Sequence, residues 1–257
     1  MGGDSHFHFK VPREDFSVYL LDRVPLNGRS RRPLNMHSIR VWDLPTRLFH
    51  WLLAACVVGL VVSGSVGGNW MNWHLRLGYT VLTLLLFRLV WGFMGGHWSR
   101  FGNFLFGPGA LIAYLQGRSE PAHRIGHTPL GALSVFALLA VLLAQVGSGL
   151  FSDDEIAFFG PLVRFVSGDT VLAATNYHKN IGKYLILGLV ALHLLAISFY
   201  KLVKKQGLVR PMILGDKAVD QAFPAAKDTA GTRLLALVVL VCCGVAVNWL
   251  VGLGGAF

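Results

Sequence analysis

Residues 176–200 read NYHKNIGKYLILGLVALHLLAISFY, with one histidine near the start, His178, and a second near the end, His193. As one α-helix this stretch is long enough to cross a bilayer. At the helical rise the two histidines are about 22 Å apart along the axis, and their side chains fall within about 60° of each other around it. Ionisable groups inside a hydrocarbon layer are costly and mark function. Either histidine alone reads as an interhelical hydrogen-bonding residue. Two on one face, near opposite sides of a membrane, call for a shared purpose.

The rest of the chain agrees that a membrane is its solvent. Of the 257 residues, 54% are hydrophobic and 14% charged, and the mean hydropathy is +0.55, so the class is polytopic membrane protein rather than soluble domain. A net charge of +10 would raise the question of nucleic acid in a soluble chain. Here Lys and Arg collect in selected loops, so topology accounts for them and nucleic acid is excluded as a partner. Cys56, Cys242 and Cys243 form neither a C-x-x-C-H haem-attachment motif nor a metal-spaced cluster, and read as small buried apolar residues.

Five apolar runs follow in order. Residues 1–38 are too polar for a secretory leader and read as a cytoplasmic tail, with His6, His8 and His37 as solvated residues. The first span, residues 45–66, carries His50 just inside its start, with Trp42 and Trp51 suited to the interfacial belt and Arg29, Arg31, Arg32, Arg40 and Arg47 upstream or beside it. The positive-inside bias therefore puts His50 near the cytoplasm. The second span, residues 74–94, begins with His74 on the periplasmic side, and Arg88 lies about 21 Å further along, within about 40° of the same face. Residues 95–128 set Arg100, Arg118 and Arg124 against Glu120 and include PGALIAYLQG, which fits a short interfacial helix. His97, His123 and His127 of this cytoplasmic loop read as surface residues. The third span, residues 129–151, has no histidine, and its Gly147, Ser148 and Gly149 permit close approach by a helix or a flat cofactor.

Residues 152–177 read as a long acidic periplasmic loop, with Asp153, Asp154, Glu155 and Asp169 against Arg164. The fourth span returns to a basic side bearing Lys201, Lys204, Lys205, Arg210, Lys217, Lys227 and Arg233. A fifth span, residues 234–257, reads as peripheral to the chemistry. The divisions are a cytoplasmic tail, 1–38, a four-helix domain, 39–215, and a linker with the fifth helix, 216–257. The N-terminus is then cytoplasmic and the C-terminus periplasmic.

His50 and His193 thus lie near the cytoplasmic side, and His74 and His178 near the periplasmic side: two pairs, one above the other. Neutral imidazole is a common metal ligand, and two on facing helices can take the fifth and sixth positions of a haem iron. A zinc or nickel pathway would add carboxylates or thiolates, and spans one, two and four contain no Asp or Glu. His74-Leu-Arg-Leu-Gly78 and His178-Lys-Asn-Ile-Gly182 repeat H-x-x-x-G, setting a residue without a side chain one turn from each candidate ligand, where a macrocycle needs clearance. Arg76, Lys179 and Lys183 flank this pair, and Arg47 and Arg88 stand at the level of the other. These charges are either partners for haem propionates or interfacial anchors.

Val41-Trp42-Asp43-Leu44-Pro45-Thr46-Arg47-Leu48-Phe49-His50-Trp51, the segment His74 to Gly78, Arg88-Leu89-Val90-Trp91-Gly92-Phe93, and the two histidines of span four resemble the bacterial di-haem cytochrome b561 family, which includes the cytochrome b subunits of membrane-bound nickel-iron hydrogenases. The likeness covers residues 39–215. It implies an all-α four-helix bundle in the bacterial inner membrane holding two haem b groups, with His50 and His193 on one and His74 and His178 on the other. It implies electron transfer between quinone and a periplasmic or membrane-anchored redox partner, such as a c-type cytochrome or a hydrogenase-like subunit. A self-contained superoxide:quinone oxidoreductase is a second reading from the same resemblance, and a haem-free metal transporter is a third from another class.

Overall fold

A computed structural model describes residues 36–118 and 120–255, so most of the tail, with His6 and His8, lies outside the described residues. The chain is an all-α membrane protein, and five of its helical spans are long and apolar enough to cross a bilayer. The first, α1 (Leu44–Val66), starts where the Asp43 carboxylate accepts from the Thr46 amide and Pro45 occupies the first turn. Both features suit a helix start, because they satisfy or remove amides that have no intrahelical partner. It is followed by α2 (Met71–Met94) and by a short helix α3 (Pro108–Leu115) in the PGALIAYLQG segment. The third span, α4 (Pro129–Leu150), is capped by Thr128, whose hydroxyl accepts from the Gly131 amide.

The fourth span departs from expectation. It begins at α5 (Gly168–Asn176), capped by Ser167, passes through a π-helical turn at Tyr177–Gly182, and continues as α6 (Lys183–Leu202). The acidic connection is therefore shorter than 152–177, because its last third is helix. The π-turn fits one extra residue into a single turn, which turns everything after it back by about one helical step, about 100°. The regular-helix offset of about 60° between His178 and His193 becomes about 40° on the other side.

A short helix α7 (Val209–Leu214) leads into strand β2 (Asp216–Val219), which pairs antiparallel with β1 (His37–Arg40). Arg40 reaches Asp216 at 2.6 Å and Asp228 at 2.8 Å, and Arg233 reaches Asp228 at 2.8 Å. The segment after span four is thus fastened to the start of α1. The last span, α8 (Ala230–Gly252), begins at a capping box of Thr229 and Thr232.

The core runs along α2. Val81, Leu82, Leu84, Leu85, Phe87 and Trp91 are buried against Leu139, Leu142 and Val146 of α4 and Ala236, Cys243 and Val247 of α8. The window of α2 is 44% buried, against 6% for the fourth span and 17% for α1 and α8. Apolar side chains left on the outside of a spanning bundle face lipid, so no hydrophobic force draws them inward.

Candidate functional site

Two histidine pairs form at opposite ends of the bundle. His74 of α2 meets His178 of the π-turn with ring centroids 6.0 Å apart and planes at 82°. His50 of α1 meets His193 of α6 at 6.5 Å and 52°. These are the pairings expected from axial arithmetic.

The His74/His178 pair is held by a repeated device. His74 Nδ1 lies 3.1 Å from the Leu60 carbonyl and 3.3 Å from Ser63 Oγ. His178 Nδ1 lies 2.9 Å from the Gln145 carbonyl and 3.4 Å from Ser148 Oγ. A nitrogen facing a carbonyl oxygen must carry the proton, which leaves each Nε2 as the lone-pair donor. Beside each serine stands a glycine against the ring: a Cβ on Gly64 would be 3.0 Å from His74 Cε1, and one on Gly149 would be 2.9 Å from His178 Cε1. Ser63-Gly64 and Ser148-Gly149 therefore make one cradle used twice. The sequence reading of Gly147, Ser148 and Gly149 as room for a helix or a flat cofactor covers one of these two cradles, and Ser63-Gly64 repeats it in the first span.

Gln145 was missed altogether. Its Nε2 donates to the His178 carbonyl at 3.0 Å, within the π-turn. A Cβ on Gly182 would stand 1.9 Å from Gln145 Oε1, so this glycine gives room to Gln145. Around Gly78 a Cβ would meet nothing within 4 Å.

At the other end His50 Nδ1 is buried without a partner, and its ring abuts Trp51 at 5.0 Å. One turn before His50, the V-W-D-L-P-T segment builds a closed polar knot. The fully buried Asp43 carboxylate accepts from the amides of Thr46 and Gly96, from Trp91 Nε1 and from Ser99 Oγ, all within 3.3 Å. Ser99 spends its proton there, so Thr46 is the donor in the 2.8 Å contact between the two hydroxyls. Arg88, 4% exposed, donates to the Ser99 carbonyl at 3.0 Å and lies over the Phe101 ring, while its Nη1 is buried and unpartnered.

The remaining charges fall into protein contacts. Arg47 donates to the Ile213 carbonyl at 2.7 Å and lies 3.9 Å from Asp228, with its Nε buried and unpartnered. Arg76 covers the Trp73 ring, Lys183 covers the Tyr184 ring, and the charge of Lys179 bears on Asp154. Two loop histidines are not surface residues. His123 is buried and pairs with Glu120 in a capping box. His127 packs 4.2 Å from Phe104 and 4.8 Å from Trp42, and burial, then the charge of Arg88, push its pKa down to about 3.

The histidine pairs fit a haem. A six-coordinate iron between two imidazoles, with bonds of about 2 Å and ring centres about 1 Å beyond each nitrogen, sets the centroids about 6 Å apart. The observed 6.0 and 6.5 Å agree, and the tautomer at the His74/His178 pair is the one such ligation needs. Among the described residues no three His, Cys, Asp or Glu side chains gather to hold a bare metal ion.

Comparison with known proteins adds a family. The model of prokaryotic cytochrome b561 matches residues 41–215. A protein of Escherichia coli K12 called probable Ni/Fe-hydrogenase 1 B-type cytochrome subunit is 25% identical over 70% of this chain and 91% of its own length. Probable Ni/Fe-hydrogenase B-type cytochrome subunits of Azotobacter vinelandii and Bradyrhizobium diazoefficiens are 26% and 21% identical, over 69% and 77% of this chain and 88% and 93% of theirs. No solved structure matches.

Proposed function

Because the chain belongs to the prokaryotic cytochrome b561 family, and so is a haem-carrying protein of transmembrane electron transfer, we propose that it carries electrons through two b-type haems in series, between the quinone pool and a redox partner on the periplasmic side of a bacterial inner membrane. The observation that carries this reading is the pair of imidazole pairs, 6.5 and 6.0 Å between ring centres, at opposite ends of one bundle.

His50 and His193 would hold one haem, and His74 and His178 the other. Bound haem supplies reversible one-electron carriage. The protein supplies the rest: ligand tautomer, ring orientation, a dry surround and fixed charges. The Nδ1–H bonds to the Leu60 and Gln145 carbonyls hold two of the four rings. The free Nη1 of Arg88 and Nε of Arg47 suit haem propionates at the His50/His193 end, and Arg76, Lys179 and Lys183 suit them at the other. Gly78, with open space about it, gives clearance for the macrocycle there.

Sidedness follows the basic loops, which put the His50/His193 end in the cytoplasm and the C-terminus in the periplasm. The partner proposed is a hydrogenase-like subunit, a class that the relatives' names support, or a c-type cytochrome, docking at the His74/His178 end. Superoxide chemistry at that end is less favoured, since Asp154 and Glu155 stand nearby and Lys179 is offset by Asp154. The test is a dithionite-reduced minus oxidised spectrum of the purified chain with haem quantified against protein. A b-type α-band with two haems per chain is expected; its absence sinks the proposal.

A further inference from the structure

Bonding of the i→i+5 kind is rare in helices, is concentrated at functional sites, and leaves carbonyls short of their usual donors. In the fourth span it occurs at His178 itself, and Gln145, the only amide side chain in α4, donates to that residue's carbonyl from the neighbouring helix. Gln145 touches its neighbour twice: its side-chain Nε2 donates to the His178 main-chain carbonyl at 3.0 Å, and its main-chain carbonyl, which any residue at this position would supply, accepts from His178 Nδ1 at 2.9 Å. Its Oε1 is buried without a partner and lies where a side chain at Gly182 would go, 1.9 Å from that Cβ position. The His178 main chain is therefore held by the Gln145 side chain, and its ring by the Gln145 main-chain carbonyl together with Ser148 and Gly149.

Fixing the ring has an electronic consequence. An imidazole whose Nδ1–H is bonded to a carbonyl is a more basic donor through Nε2. A more basic axial ligand favours ferric over ferrous iron and so lowers the potential. At His50 that lever is absent, since its Nδ1 is buried and unpartnered.

We propose that Gln145 is a positioning residue for one haem alone: by holding the main chain of His178 with its side-chain amide, and so keeping the imidazole against the Gln145 main-chain carbonyl, it sets the ring plane and donor strength of that ligand, and hence the potential of the His74/His178 haem separately from the other. The inference rests on the haem reading of the four histidines. Arg76, Lys179 and Lys183 push the same potential upward, so the order of the two potentials is no test. The change on altering Gln145 is.

Gln145→Met keeps the length of the side chain and the main-chain carbonyl but removes the amide that holds the His178 main chain, so that main chain can shift and loosen the Nδ1–H bond. In optical redox titrations of the full haem-loaded chain, the component lost in His74→Ala should move to higher potential by about tenfold in its equilibrium constant, or about 59 mV for one electron. The other component should stay in place. The ferric low-spin resonance of the shifted haem should also change its g-anisotropy, which follows the angle between the axial ring planes. Gly182→Ala approaches from the opposite helix, displaces Oε1, and should move the same component the same way. If Gln145→Met sheds that haem, Gly182→Ala carries the measurement. The proposal is overturned if neither variant moves that component, if both components move together, or if both variants shed both haems. A wild-type chain without a b-type spectrum would instead defeat the haem reading itself, before Gln145 is touched.

Discussion

Arg88 donates through Nη2 to the carbonyl of Ser99 at 3.0 Å, and Ser99 is joined in turn to Thr46, one helical turn before His50. A guanidinium on α2 is thus held beside the approach to a histidine on α1. The buried Asp43 carboxylate bears on the Arg88 charge, but Nη1 is left buried and unbonded, and a free donor on a buried cation favours a further anion that can meet it. A propionate of the His50/His193 haem is the anion that the proposed function supplies.

Arg88→Leu should therefore lower the potential or the occupancy of that haem and leave the other unchanged, because losing a positive neighbour disfavours the added electron. Arg88→Lys should restore part of the loss. The Ser99 carbonyl also loses its donor in Arg88→Leu, at a cost of about 1–3 kcal/mol, so a stability measurement belongs beside the redox titration. A lowered melting temperature with an unmoved titration would mean that Arg88 serves only to clamp Ser99.

The pairing itself is open to single substitutions. His50→Ala and His193→Ala should each remove the same haem, and His74→Ala and His178→Ala the other. Bis-histidine iron is low-spin, so a high-spin signal should appear wherever one ligand is lost and haem remains. If His50→Ala and His193→Ala affect different spectral components, the assignment of rings 6.5 Å apart to one iron is wrong. Trp51→Phe gives up only the 3.2 Å bond to the Met212 carbonyl and should retain both haems.

What the sequence disclosed follows from period and charge. Apolar length marks the spans, and histidine positions along them fix depth, so four residues from three spans could be paired without any contact information. The π-turn was hidden because it answers to Gln145 and Gly182, which lie on different helices. Within α4 Gln145 was a polar residue in an apolar run, a signal that a search confined to ionisable groups passes over. The burial of His127 and His123 is not legible in the sequence because it comes from the loop folding back on Trp42, Phe104 and Phe106, which no periodicity records. The extra turns of α5 were disguised by polar residues, Asp169, Thr170 and Thr175, that suit a loop as readily as the end of a span.

His127 predicts a dependence on pH. Its pKa is pushed down to about 3 by burial first and by Arg88 second, whereas an unfolded histidine titrates near about 6.5. Between those values the unfolded chain takes up a proton that the folded chain refuses. The stabilising contribution is thus present above about pH 6.5 and lost as pH falls toward the folded value. The melting temperature of the wild type should therefore fall between about pH 7 and pH 4 by more than that of His127→Phe, which keeps the aromatic contacts and cannot titrate. Equal losses in the two proteins would assign the acid sensitivity to other groups.

The acidic turn after α4 offers a test of docking that is separable from folding. Asp154 Oδ1 accepts from the amides of Ile156, Ala157 and Phe158, each at 2.9 Å, and Asp153 Oδ1 accepts from the Glu155 amide at 2.8 Å. Burial nudges the Asp154 carboxyl upward, but those three amides and the charge of Lys179 outweigh it and hold it below its ordinary range. Two of the three acids are therefore occupied in building the turn. Glu155 is exposed, with a left-handed φ of 59° that projects it from the turn, beside Ile156 at 89% exposure. Charge at an exposed rim acts chiefly on the rate of encounter and is screened over about 10 Å at 0.1 M salt. Glu155→Gln should accordingly slow electron exchange with a partner of basic face by a few-fold at low ionic strength, with the difference fading as salt rises and the melting temperature unchanged. Asp154→Ala should instead open the turn, exposing it to protease, and slow exchange at every salt concentration. Should Glu155→Gln leave the low-salt rate where it was, the partner docks elsewhere, and the acidity of this turn serves its fold alone.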